Sequence, residues 1–123
     1  MKRKYVLLSL WILVIIILSL MPKSSLRIEK VKLFENSDKI IHFLMYAILT
    51  ILAIMAFKKG DICTKKCQVI ISFFSIFLGM LMEFLQEYLE MGRSFDTFDI
   101  LANTTGVIFV IIFLNNKIVN YEF

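Results

Sequence analysis

Histidine occurs once in this chain, proline once and cysteine twice, and each scarcity removes a class of protein. The single histidine, His42, stands outside any H-E-x-x-H pattern, and no serine or cysteine is paired with a base at short spacing, so no hydrolytic motif is written into the chain. Cys63 and Cys67 offer two thiols where a structural zinc takes four ligands. On a cytoplasmic loop, where the topology below puts them, they are not expected to form a structural disulfide either. The one proline, Pro22, closes the first apolar run. Internal repeats and low-complexity tracts are absent. The net charge of +4 does not indicate nucleic acid, because the fourteen Lys and Arg fall in short groups between apolar runs and form no basic helix or stripe. Such residues beside membrane spans act as retention signals or headgroup partners.

Apolar residues are what the chain has in excess. They make up 59% of its 123 residues, and the mean hydropathy is +0.82. Soluble domains carry about 45–50% apolar residues. A chain this short has too high a surface-to-volume ratio to hide the surplus from water. Lipid must therefore be its solvent, with room for one domain over residues 1–123.

A spanning helix needs about 20 apolar residues, and four stretches qualify. The first, Tyr5 to Met21, has no charge, follows Lys2-Arg3-Lys4 and ends at Pro22. It is long for a signal-peptide core and no A-x-A-like cleavage site follows, so it reads as a retained anchor. The second covers residues 38–57 and is stopped by Lys58-Lys59-Gly60-Asp61. The third, residues 69–89, is apolar only to Met82 and must carry Glu83 and Gln86 into the outer part of the membrane. The fourth, residues 99–114, is polar at its start, with Asp99 as its first turn or cap. The expected fold is an all-α integral membrane protein, four transmembrane helices in a small antiparallel bundle. Between the first two spans, Ser24 to Ser37 is amphipathic and suits an interfacial segment, although helix and strand periods are not separable there. Lys2, Arg3, Lys4, Lys58, Lys59, Lys65, Lys66 and Lys117, eight in all, lie on one side; Lys23, Arg27, Lys30, Lys32, Lys39 and Arg93, six in all, lie on the other. The bias places both termini in the cytoplasm.

Antiparallel connectivity brings the unusual polar residues to one end. The second helix enters there with Asp38, Lys39, His42 and Tyr46, the third leaves with Glu83, Gln86 and Glu87, and the fourth re-enters with Asp99 and Asn103. The connecting loop adds Glu90, Arg93 and Asp96. Asp38, His42 and Tyr46 are four apart; Glu83, Gln86, Glu87 and Glu90 follow i, i+3, i+4, i+7; Asp99, Asn103 and Gly106 form a third stripe. Hydrocarbon rejects such stripes, so they must face each other or a small wet cavity. Arg93 is the expected partner of Glu83 or Asp99, since its planar fork holds a carboxylate bidentately. Ala102 and Gly106, four apart and small, predict a close approach by the fourth helix.

Three blocks, Asp38-Lys39-x-x-His42-Phe43-x-x-Tyr46, Glu83-x-x-Gln86, and Gly92-Arg93-x-x-Asp96-x-x-Asp99-x-x-Ala102-Asn103-x-x-Gly106, together resemble the VanZ-like family over about residues 36–110. The resemblance implies a bacterial cytoplasmic-membrane protein of several spans, of a family whose founding member is linked to teicoplanin resistance. The chain departs from the family pattern at Leu89-Glu90-Met91, where proline is frequent, and at Val110, where a second glycine is common; looser packing late in the fourth helix is the expected consequence.

Three functions compete on this reading. One is a binding or protective role at the outer membrane face, with Asp38, Lys39, His42, Tyr46, Glu83, Gln86, Arg93, Asp96, Asp99 and Asn103 contacting membrane lipid, a cell-wall precursor or a lipoglycopeptide. The second is an intramembrane hydrolase or transferase for a lipid-linked substrate, with His42, Glu83 and Asp99 as catalytic candidates. The third is transport, for which the chain is so small that a homo-oligomer would be required. No cofactor, metal or nucleic-acid partner is expected.

Overall fold

The computed structural model describes residues 2–20, 37–59, 63–89 and 97–119. Helix α1 is Lys2–Leu20, α2 is Ser37–Phe57 and α3 is Lys65–Tyr88. The last span begins as α4, Thr97–Phe109, passes through a π-helical segment, Val110–Leu114, and ends in a short α5, Asn115–Val119. Four helices are thus long and apolar enough to cross a membrane, and the all-α bundle expected from the sequence is what the chain forms.

The boundaries differ from the apolar runs for local reasons. α3 starts four residues before Val69 because Thr64 caps it: its Oγ1 accepts the Cys67 N–H at 3.1 Å, with Thr64 in extended backbone (φ −63°, ψ 159°). Gln68 Nε2 then donates to the Cys63 carbonyl at 2.9 Å, so a polar first turn is wound onto an apolar helix. On the last span Asp99 lies in the first turn of α4, as expected, and the helix runs past residue 114. Val110, where looser packing was expected, is fully buried, yet the backbone widens to π-helix from that residue onward.

Contacts fix the topology. Trp11 Nε1 donates to the Met45 carbonyl at 3.0 Å and the Tyr5 ring meets Phe57 at 5.8 Å between centroids, so α1 and α2 run antiparallel. Gly79 of α3 lies against Tyr46 and Asn103. The α2–α4 pair is parallel: Lys39 meets Asp99, His42 meets Asn103, and the Phe43 and Phe109 rings meet at 5.7 Å between centroids, tilted by 57°. At the tightest point a Cβ on Gly106 would fall on the Phe43 carbonyl oxygen and 3.2 Å from the Ala47 nitrogen. This is the close approach predicted from the small residues of α4, and α2 is the neighbour that uses it.

The bundle is inside-out by the standard of soluble proteins. Phe73, Phe74, Phe77, Phe84, Ile112 and Phe113 point outward, Phe73 being 74% exposed. Thr50, Ser75, Glu83, Gln86 and Asn103 are buried beside Ile15, Leu49, Ile54, Val107 and Val110. Water would expel those phenyl rings; hydrocarbon accepts them and drives the polar groups inward. The protein is a multi-pass membrane protein.

Candidate functional site

The site lies where the N-termini of α2 and α4 meet the C-terminus of α3. Asp99 is its centre. Lys39 Nζ donates to Asp99 Oδ1 at 2.5 Å, and His42 Nε2 stands 3.5 Å from the other oxygen, Oδ2. The opposite ring nitrogen, His42 Nδ1, is 3.1 Å from Asn103 Oδ1. An amide oxygen can only accept, so Nδ1 carries a proton and donates to it, and Nε2 donates to Asp99 only when the ring holds a proton on both nitrogens, as an imidazolium. The imidazole is therefore oriented from both sides by residues one turn apart on α4. Lys39 and Asp99 retain 23% and 13% of their side-chain exposure, which places the pair at the edge of the buried core rather than in its depth.

One level further in lie Tyr46, Glu83 and Gln86, respectively 1%, 1% and 2% exposed. Tyr46 is within electrostatic reach of Glu83. Glycine makes the space for this layer. A Cβ on Gly79 would come within 2.9 Å of Asn103 Nδ2 and 3.3 Å of Tyr46 Cε1, so a larger residue would push the amide and the ring apart.

Among the expected site residues, Lys39, His42, Asp99 and Asn103 come together as one contact set, and Tyr46, Glu83 and Gln86 form the layer beneath it. Asp38 lies in the first turn of α2, but its side chain is outside the described residues, as are Glu90, Arg93, Asp96 and nearly all of the amphipathic stretch before α2. The Asp99 carboxylate for which Arg93 was the expected partner is held by Lys39. The stripe proposed on α3 is narrower than its spacing suggested. Glu83 and Gln86 turn inward, but Glu87 is exposed, because three- and four-residue steps diverge around the helix and the α4 contact admits one of the two. Among the described residues no three His, Cys, Asp or Glu side chains gather as a metal would require, so Glu83 does not join His42 and Asp99 in a single ligand set.

Sequence reasoning missed Gly79, Ser75 and Thr50. All three are buried on the inner faces of α2 and α3. The signal was available: Ser75 and Gly79 precede Glu83 by two turns and one turn, and Thr50 follows Tyr46 by one, so each extends a polar stripe already recognised.

The arrangement gathers two basic groups around one carboxylate at the point where parallel helices α2 and α4 both direct their N-termini. The partial positive ends of two helices thus reinforce Lys39 in favouring negative charge there. No curated protein and no solved structure matches the chain. The family model described as VanZ/LLP1 matches residues 4–119, which takes in all but the first two residues of the described helices and the described polar site, and the chain belongs to that family.

Proposed function

We propose that the polar end of the bundle binds the anionic headgroup of an envelope lipid or lipid-linked cell-wall precursor, and that by doing so the protein protects the envelope against glycopeptide and lipoglycopeptide antibiotics. The observation that carries this reading is the sharing of Asp99 by Lys39 and His42 at the edge of the buried core. A phosphate oxygen makes the same hydrogen bonds as a carboxylate oxygen, so a headgroup can compete for donors that Asp99 already holds in position. Two helix N-termini favour the same negative charge. The surrounding apolar faces suit the acyl chains of such a molecule, since Ile40, Ile41, Leu44 and Phe98 are exposed beside the site. The charge bias of the short loops supports a placement of this end on the outer face of the cytoplasmic membrane.

The test joins a cell assay to a biochemical one. Expression in a susceptible bacterium is expected to raise tolerance to teicoplanin, and the purified protein is expected to retain anionic envelope lipid detectable by mass spectrometry. Lys39→Met should reduce both. Unchanged susceptibility together with no retained envelope lipid would overturn the proposal. If the wild-type protein instead converts a lipid-linked substrate and His42→Ala abolishes the conversion, the hydrolase or transferase reading takes its place.

A further inference from the structure

Hydroxyl groups in these helices generally satisfy themselves locally. Thr50, Ser72, Thr104 and Thr105 each donate to the carbonyl four residues earlier, at 2.7–2.8 Å. Ser75 Oγ does not: it is fully buried and finds no hydrogen-bond partner among the described residues. The same is true of Tyr46 OH and Gln86 Nε2, each on a residue more than nine-tenths buried. A fourth such atom, Asn115 Oδ1, lies on α5 at the far end of the last span, but the other three are not scattered. Gln86, Glu83, Gly79 and Ser75 form one stripe of α3, Tyr46 packs on it from α2, and Asn103 from α4. From Gln86 to Ser75 the stripe descends about 16 Å at 1.5 Å per residue, roughly half the hydrocarbon thickness.

One turn deeper every contributing helix becomes aliphatic. Ile54 on α2, Ile71 on α3 and Val110 on α4 are all buried. Among the described residues the polar column therefore runs towards Lys39 and Asp99 and gives way to aliphatic side chains at its inner end.

Buried polar atoms without protein partners are what ordered water satisfies, at two to four hydrogen bonds per molecule. We infer that these residues line a blind file of water, entering at the Lys39–Asp99 end and stopping at Ser75, and that this file makes Glu83 a carboxyl that exchanges its proton with one side of the membrane only. Glu83 releases its proton to the adjoining water and recovers one from it, with no other bond formed or broken. Among the described residues the titratable groups around this carboxyl are Tyr46 from α2 beside it, and His42, Lys39 and Asp99 at the mouth. α1 carries Lys2, Arg3, Lys4 and Tyr5 only at its far end. The inference is independent of headgroup binding, because it rests on the interior of the column and not on the ion pair at its mouth.

Solid-state NMR of the isotope-labelled full chain in bilayers tests it without any substitution. Magnetisation starting on water should reach the side chains of Gln86, Tyr46 and Ser75 several-fold faster than those of Ile54, Ile71 and Val110. Equal build-up at Ser75 and Ile71 would show a dry column and overturn the proposal. Sidedness is read in a Cys63→Ser, Cys67→Ser background. Ser75→Cys should react with a small membrane-impermeant thiol reagent only from the side of the α2 N-terminus, and Ile71→Cys from neither. Labelling of Ser75→Cys from the opposite side or from neither would refute one-sided access.

Discussion

Single residues decide how closely the helices meet, and the two inner glycines are not equivalent. A Cβ at Gly106 runs into backbone, the Phe43 carbonyl, which cannot move without moving α2. A Cβ at Gly79 meets the end of a side chain, the Asn103 amide at 2.9 Å, which can rotate aside. Gly106→Ala is expected to cost about 1–3 kcal/mol or more, in the range of core overpacking, and Gly79→Ala less, as measured by denaturant unfolding in detergent. An equal loss for both would contradict the packing described.

Charge at the residue scale is just as specific. Asp99→Ala removes the carboxylate that Lys39 and His42 share at the edge of the core, for an expected loss of about 1–3 kcal/mol, in line with hydrogen bonds to a charged group. Glu87→Ala, at an exposed position, should be near neutral in the same assay. On the loop between α2 and α3, burial and then contact with the Cys67 thiol push the Cys63 thiol up from 9.0 to about 12. The thiolate is the reactive form. At pH 8 Cys63 should therefore alkylate two to three orders of magnitude more slowly, roughly, in the folded protein than after denaturation. The unfolded chain gives up this proton first, so the contribution to stability is intact below pH 9 and is lost as pH rises from 9 towards 12.

Elements are set by how their ends are satisfied. α3 owes its early start to Thr64. Thr64→Ala should cost about 1 kcal/mol, as loss of an N-cap does, and should speed amide hydrogen exchange at Cys67 more than in the middle of the helix. Unchanged exchange at Cys67 would mean that the cap is not what starts the helix. The existence and order of the spans were legible from apolar run length, because lipid imposes a minimum length that few other environments require. The ends were not, since Lys65, Lys66 and Gln68 read as loop until a capping hydroxyl and a side-chain amide wind them into a turn. The π-helical widening after Phe109 had no signal in a uniformly apolar stretch.

For the molecule as a whole, one solvent argument accounts for most of the architecture. Composition required lipid, lipid required helices with satisfied backbones, and four apolar runs in alternation required one end of the bundle to receive Lys39, His42, Glu83, Asp99 and Asn103 together. That much the sequence determined by itself, because hydropathy and connectivity are properties of the chain alone. Which polar group holds which depended on the crossing of α2 and α4. Their closest approach at Gly106 sets the register that puts Lys39 on Asp99, turns His42 to Asn103, and leaves Glu87 outside while Glu83 is enclosed. Only the tertiary structure could decide this, because a helical stripe specifies a face to within a turn, whereas a hydrogen bond needs its partners placed to within a few tenths of an ångström.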